Sequence, residues 1–153
     1  MTNSRNFFSF VSCSPKEQLS KDDVPEKKER FVSTLSIEPT GNIANGSNIS
    51  LIFTTENRDV ENRTFYLLGG KRAIFEIFNY KNQMIWSNNP EASNDLNKFE
   101  FPALSSVDVT QEWNCVLLDG SHATIGQYKA KAYIPVAENM KGFTDSLFFT
   151  IVD

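Results

Sequence analysis

Hydrophobic and polar residues alternate along several short stretches of the chain. In Ser106–Trp113, for example, Val107 and Val109 alternate with Asp108 and Thr110. A period of two residues is typical of a strand with one buried and one solvated face. No stretch of helical length carries apolar residues at the 3.6-residue spacing of an amphipathic helix. The pattern therefore predicts an all-β protein, with further strands at Val32–Glu38, Ile49–Glu56, Thr64–Leu68, Phe99–Phe101, Ile125–Ile134 and Phe143–Val152.

Arg72–Ser87 has the pattern of two strands joined by a tight turn. Ile74 and Phe78 fall on one face of the first strand, while the other face also carries bulky residues. Asn82 suits the turn, because asparagine tolerates a left-handed backbone conformation. A hairpin that is apolar on both faces is expected in the middle of a sandwich rather than at an edge. With about seven to nine short strands, the chain is predicted to form an immunoglobulin-like antiparallel β-sandwich.

Aromatic residues are the expected main source of core packing, since the chain has 13 Phe, 4 Tyr and 2 Trp. Trp86 lies at the end of the predicted hairpin and is interpreted as a core residue, with a surface recognition role as the alternative. Cys115 follows a strand pattern and is expected to be a small buried hydrophobic residue. Both predictions concern packing rather than chemistry.

The first 30 residues differ in composition from the rest. Arg5 precedes an apolar run with interspersed serines, and Cys13 follows that run. This order is typical of a lipoprotein signal, so residues 1–13 are interpreted as such a segment with lipid attached at Cys13. The alternative is a cytoplasmic N-terminus with an incidental cysteine. Residues 14–30 are rich in charged residues and are predicted to form a disordered polar linker, which leaves residues 31–153 as the folded domain.

The charge of the chain argues against several partners. Its formal net charge is −4, so it lacks the basic field that nucleic acid requires, and nucleic acid is not expected to bind. No apolar run approaches the roughly 20 residues of a membrane-spanning helix. Contact with a membrane is therefore expected only through a lipid at Cys13, which would place the protein at the cell envelope.

Catalysis finds little support in the sequence. His122 is the only histidine, and Ser121 directly precedes it. Side chains at consecutive positions diverge, which argues against a nucleophile–base pair formed by these two residues. His122 is interpreted as a loop residue. No zinc, calcium or phosphate-loop spacing is present, so the chain is interpreted as a non-enzymatic protein without a cofactor.

A group of residues with turn and packing roles is spread over Ile49–Tyr133. Its members are Phe53–Asn57, Phe65, Gly69-Gly70, Phe75–Asn82, Ile85–Ser87, Val107, Val109, Trp113 and Gly126–Tyr128. In this respect the segment resembles the BsuPI-type proteinase inhibitor domain, an immunoglobulin-like sandwich of bacterial and archaeal proteins. The chain departs from the family pattern at four places, namely Glu76 for Asp, Asn82 for the turn Gly, Ala103–Ser106 for a Pro-Gly turn, and Ile125 for Pro.

The resemblance implies a protein that occupies a protease, although no inhibitory residue of the family can be carried over to this chain. We expect a protein partner to bind the loop Ser87–Lys98, interpreted as the longest polar connection. The alternative is that this loop is a flexible connector without a partner. The alternative function is a recognition or structural module that is tethered to the cell envelope through Cys13 and binds protein or glycan. The loop residues predicted to contact the partner are Asn88, Asn89, Pro90, Glu91, Asn94 and Asp95.

Overall fold

The computed structural model describes residues 30–91, 93–137 and 142–153. Within these ranges the chain forms ten strands and no helix, which confirms the all-β prediction. The strands are β1 (Phe31–Glu38), β2 (Asn42–Ala44), β3 (Ile49–Asn57), β4 (Arg63–Leu68), β5 (Ile74–Asn79), β6 (Met84–Ser87), β7 (Leu96–Phe101), β8 (Ser105–Trp113), β9 (Gly126–Tyr133) and β10 (Thr144–Val152).

The strands form three sheets. A three-stranded sheet has the order β1-β3-β8, a five-stranded sheet has the order β2-β10-β9-β5-β6, and β4 pairs with β7 in a two-stranded sheet. All pairs are antiparallel except β2 with β10. Because the neighbours in each sheet are mostly distant in sequence, the long-range packing of apolar side chains must define this arrangement.

Aromatic side chains join the inner faces of the sheets. Phe53 of β3 meets Phe75 of β5 with the ring centroids 6.4 Å apart. Trp113 of β8, which is 1% exposed, packs against Tyr128 of β9 and Phe149 of β10. Edge-to-face and tilted ring pairs of this kind add to the stabilisation from area burial. The core is thus a layer of aromatic and aliphatic residues between the three-stranded and five-stranded sheets.

The connection from β8 to β9 is fixed by Tyr128. Its hydroxyl group donates a hydrogen bond to the Thr124 carbonyl oxygen at 2.6 Å and accepts one from the Thr124 amide at 3.1 Å. The aromatic ring lies in the core, 7% exposed, and stacks on Phe149 with the centroids 5.6 Å apart. One side chain therefore anchors both the core and the backbone of the connection that carries the chain from one sheet to the other.

Several details differ from the sequence prediction. The structure has more strands than expected, because the short β2 lies within a stretch interpreted as a polar connection. The expectation that the Arg72–Ser87 hairpin lies wholly inside a sheet is wrong for its second half. β6 is the edge strand, and Met84 on it is 45% exposed. Of the two hairpin strands, only β5 lies between two neighbours, β6 and β9, and only there does the expectation of bulky side chains on both faces apply.

Trp86 and Cys115 differ in how far they are buried. Cys115 is fully buried and its thiol contacts the Ser47 carbonyl oxygen at 3.3 Å, which confirms its prediction as a core residue. Burial raises the pKa of this thiol. Trp86 packs against the core, 6.1 Å from Trp113 between ring centroids, but it remains partly exposed because β6 is an edge strand. The buried indole at the centre is that of Trp113.

The interpretation of residues 1–13 as a lipoprotein-type segment, including Cys13, lies outside the described residues. So does the predicted linker 14–30, apart from Arg30. None of the residues that the structure describes belongs to a helix long and apolar enough to cross a membrane.

Candidate functional site

The predicted binding loop is shorter in the structure than expected. β6 ends at Ser87 and β7 begins at Leu96, so the loop comprises residues 88–95. The connection from β8 to β9 is longer, which corrects the interpretation of Ser87–Lys98 as the longest one. The difference arises because the backbone of Leu96–Phe101 pairs with β4 and is withdrawn from the loop.

Asn88, at the start of this loop, has a structural role. Its side-chain oxygen accepts a hydrogen bond from the Phe75 amide at 3.0 Å. Its side-chain nitrogen donates to the Ala73 carbonyl oxygen and to Gln111 Oε1, both at 3.3 Å. These bonds continue the β5–β6 pairing beyond the last strand residue. The Asn88 amide group is thus engaged within the protein.

The other predicted residues divide into anchors and exposed positions. The Asn89 amide donates to the Ser87 hydroxyl at 3.1 Å. At the far end of the loop, the Asp95 carboxylate accepts from the Ser93 hydroxyl at 3.0 Å, and its backbone oxygen accepts from the Gly69 amide at 2.9 Å. Between these anchors, the predicted contact residues Pro90, Glu91 and Asn94 are exposed.

A groove of about 680 Å³ opens beside the loop. Asn89, Ser93 and Asn94 line one side of it, so the structure brings part of the predicted site to its edge. The floor is formed by residues of β5 and β9 on the outer face of the five-stranded sheet. The remaining wall comes from the chain after β9. The floor and wall residues are Leu68, Ile74, Glu76, Lys131, Tyr133, Ile134, Pro135, Val136, Ala137, Phe143 and Thr144.

Three polar side chains interact on the groove floor. The Tyr133 hydroxyl donates to Glu76 Oε1 at 3.1 Å, and Lys131 Nζ lies 3.7 Å from Glu76 Oε2. The same ammonium group is 4.8 Å from the centroid of the Tyr133 ring. Burial, reinforced by the negative charge of Glu76, raises the pKa of Tyr133 to about 12. A phenol is protonated at neutral pH, and the raised pKa extends this state to more alkaline pH, so the hydroxyl can donate its hydrogen bond to Glu76 over that range.

Sequence reasoning did not connect these three residues. The alternation in β5 places Glu76 on the face opposite Phe75 and Ile77, which could have marked it as an outer-face residue. Its partners, however, lie on β9. The pairing of Glu76 with Lys131, and of Ile74 with Tyr133, is a property of the β5–β9 register. No local sequence feature specifies that register.

The Ser121–His122 pair lies in the connection from β8 to β9, where His122 was predicted as a loop residue. The Ser121 hydroxyl donates to Asp119 Oδ1 at 2.6 Å, and this bond lowers the pKa of Asp119. In the hydrogen-bond pattern of the described residues, Ser121 is joined to Asp119 and not to His122. The described ranges also contain no cluster of three or more His, Cys, Asp or Glu residues suited to a metal ion.

No protein-family model matches the sequence, and no curated protein matches it. Solved structures do share the fold. One is the Pseudomonas fluorescens alkylpurine DNA glycosylase AlkC bound to DNA containing an abasic site analog, with a TM-score of 0.51, 14% identity, and coverage of 82% of this chain and 31% of that one. Another is the Listeria innocua β-glucosidase in complex with glucose, with a TM-score of 0.50, 10% identity, and coverage of 82% and 16%. The chain thus spans less than a third of either protein, and the likeness concerns the fold of that part alone.

Proposed function

We propose that the chain is an immunoglobulin-like β-sandwich that works as a non-enzymatic protein-binding domain. The strand order supports the fold assignment. In immunoglobulin domains the first, second and fifth strands share one sheet, while the third, sixth and seventh share the other. The sheet β1-β3-β8 and the strands β10-β9-β5 of the five-stranded sheet follow this order, with β2 and β6 as additional edge strands. The departure is β7, which pairs with β4 instead of β8.

Tyr128 supports the same assignment. Immunoglobulin-type sandwiches carry a tyrosine near the start of the sixth main strand, with a hydroxyl that bonds the backbone a few residues upstream. Tyr128 is the third residue of β9 and bonds the backbone of Thr124 in this way. The proposal of a BsuPI-like domain rests on the turn and packing residues of Ile49–Tyr133.

The observation that carries the binding function is the groove at the 88–95 loop. The loop is held at its start by Asn88 and at its end by the bond from the Gly69 amide to Asp95. Between these anchors Glu91 and Asn94 are exposed, and Asn94 lines the groove. Anchored ends reduce the conformational entropy that is lost on binding. A substrate-like inhibitor needs a loop of this kind, so occupation of a protease is the form of binding that we propose.

The test is capture of a partner from a lysate of the source cells, followed by an activity assay of any protease that is retained. We expect Glu91→Ser/Asn94→Ser to reduce capture by at least about tenfold, which corresponds to about 1.4 kcal/mol. The matched control is Glu38→Ser/Asn45→Ser, which replaces the same two residue types at exposed positions far along the sequence. Equal capture by both folded variants would contradict a site at this loop.

The second candidate is a recognition module at the cell envelope, and it rests on the residue order before Cys13. Labelling with a radioactive fatty acid distinguishes the two candidates. Label that is incorporated by the wild type and lost in Cys13→Ser supports the envelope module. A protein that takes up no label in its own cells contradicts it.

A further inference from the structure

Four residues form one row across the outer face of the five-stranded sheet. Phe78 of β5 is opposite Lys129 of β9, and Lys129 is opposite Phe148 of β10; on the other side, Met84 of β6 is opposite Phe78, next to a register shift between Ile77 and Phe78. Side chains at directly paired positions point to the same face of a sheet. The core-facing neighbours Ile77, Ala130 and Phe149 are buried, so this row faces outward. We call Met84, Phe78, Lys129 and Phe148 the aromatic–lysine row.

The row exposes apolar surface where the fold does not require it. Phe148 is 79% exposed and Met84 is 45% exposed, although both lie within strands. Val60 and Leu104 are exposed in connections between strands, and the two-stranded sheet also exposes Tyr66, Leu68 and Leu96. A single exposed apolar residue is ordinary, but neighbouring ones on one sheet face are typical of an interaction surface. The row stretches over four adjacent strands, with Lys129 between the apolar side chains.

The charge within the row indicates the chemistry of its partner. Lys129 Nζ lies 6.0 Å from the centroid of the Phe78 ring. Among the described residues, no carboxylate lies within ion-pair distance of Lys129, whereas the neighbouring Lys131 is paired with Glu76. This cation therefore lies between apolar side chains on a protein whose net charge is −4. A carboxylate from a partner would form an ion pair with Lys129, and apolar groups on either side of that carboxylate would contact the neighbouring apolar side chains.

We propose that the aromatic–lysine row docks a protein segment that presents a carboxylate between apolar side chains. The acid contacts Lys129, and the apolar groups cover Phe78 and Phe148. This inference rests on the proposed protein-binding function and names the partner's chemistry at a second surface. A nucleic acid fits less well, because binding phosphates calls for several cations and the chain as a whole is acidic. A second copy that pairs row to row fits less well, because the row contains no carboxylate to contact Lys129.

The experiment selects phage-displayed random dodecapeptides on the full 153-residue chain. We expect enriched peptides to carry Asp or Glu flanked by Leu, Phe or other apolar residues. Synthetic versions are then measured by isothermal titration calorimetry. Lys129→Glu and Phe148→Ser should each weaken binding by at least about tenfold. The matched controls are Lys98→Glu and Tyr66→Ser, a lysine–aromatic pair exposed on β7 and β4, and they should leave the affinity unchanged.

Selection on the Lys129→Glu variant gives a second readout, because it should favour Lys or Arg in place of the acidic residue. The inference is overturned if no peptide is enriched, if Lys129→Glu and Lys98→Glu bind the peptides equally, or if the row binds oligo(dT) or a second copy instead. Peptides that lose affinity only in Glu91→Ser/Asn94→Ser overturn the row while supporting the groove. Peptides that lose affinity only in the row variants support the row and leave the loop to the capture experiment.

Discussion

The outer faces of the two large sheets differ in chemistry although both sheets share one core. On the three-stranded sheet, Thr54 of β3 lies between Thr34 of β1 and Asp108 of β8, and the neighbouring rows are also mostly polar, with several carboxylates. The outer face of the five-stranded sheet carries the aromatic–lysine row, in which Phe148 is largely exposed. One face is an ordinary solvated surface and the other is not.

The difference separates residues that folding requires from residues that it does not. An antiparallel sheet packed on one side typically shows apolar residues inward and polar residues outward. The outer face of the three-stranded sheet is mostly polar, with Ile52 as an exception, and its inner face is mostly apolar but also holds Thr55 and Asn57. The five-stranded sheet follows it inward, where Phe75 and Ile77 are fully buried, whereas its outer face combines the polar cluster with the aromatic–lysine row. The apolar residues on its outer face therefore call for a functional explanation.

The largest expected effect compares an inner with an outer aromatic residue. Trp113→Ala removes a buried indole and should lower the free energy of unfolding by about 3–5 kcal/mol. Phe148→Ala removes an exposed ring and should change it by less than about 0.5 kcal/mol. Urea denaturation followed by circular dichroism measures both. A loss of several kcal/mol in Phe148→Ala would show that the outer aromatic residues serve folding, and the contrast between the faces would disappear.

The second prediction concerns the connection between the two sheets. Tyr128→Phe keeps the ring in the core but removes the hydroxyl that bonds both the amide and the carbonyl group of Thr124. We expect a loss of about 1–2 kcal/mol in the free energy of unfolding, the typical cost of removing a partner from partly buried polar groups. Tyr66→Phe on the exposed side of β4 is the matched control and should be neutral. Equal stability of the two variants would argue against a structural role for the Tyr128 hydroxyl.

Much of the fold could be predicted from the alternation of residues. The strands at Ile49–Asn57 and Ser105–Trp113 lie within a residue of their expected bounds, since one buried face imposes a clear period of two. The short β2 was missed because three residues give too little pattern. Its partner β10 lies at the far end of the chain, so the pairing of Ile43 with Ile151 cannot be recognised locally. The edge position of β6 likewise depends on which strands pair in the sheet, which the local sequence does not show.

The candidate site could be predicted only in part. Asparagine and proline clustering located the 88–95 loop, and Asn94 does lie at the groove. The sequence did not separate Asn88, whose side chain bonds the backbone of the fold, from exposed residues such as Glu91. The cluster of Glu76, Lys131 and Tyr133 depends on strand register. Register follows from the packing of the whole sheet, so local composition carries no signal for it.

The third prediction uses the polar cluster on the outer face of the five-stranded sheet. The pKa of Tyr133 is raised to about 12 in the folded chain, whereas an unfolded tyrosine titrates near 10. Between these values the folded state holds a proton that the unfolded state has lost. The contribution of Tyr133 to the free energy of unfolding is therefore full below about pH 10 and is lost as the pH rises towards 12. Tyr133→Phe should therefore show a shallower decline in stability between pH 10 and 11.5 than the wild type.

Denaturation in urea at several pH values measures this slope. Glu76→Gln removes the charge that helps to raise the pKa, and it should also flatten the decline, though less than Tyr133→Phe because burial is the larger cause. Tyr66→Phe controls for the loss of an exposed hydroxyl. Parallel curves for the wild type and Tyr133→Phe would contradict a coupled cluster on this face.

The smallest expected effect on stability is the most direct test of the comparison. The double variant Asp108→Lys/Lys129→Glu exchanges one charge between the two outer faces and leaves the net charge at −4. Asp108 is exposed and Lys129 forms no ion pair with the described residues, so the free energy of unfolding should change by less than about 0.5 kcal/mol. Binding of the selected acidic peptides should nevertheless fall by at least about tenfold. Since total charge is conserved, such a loss would come from the position of the lysine among the aromatic side chains. Full binding by the exchanged variant would mean that overall charge governs the interaction, and the two faces would then be equivalent.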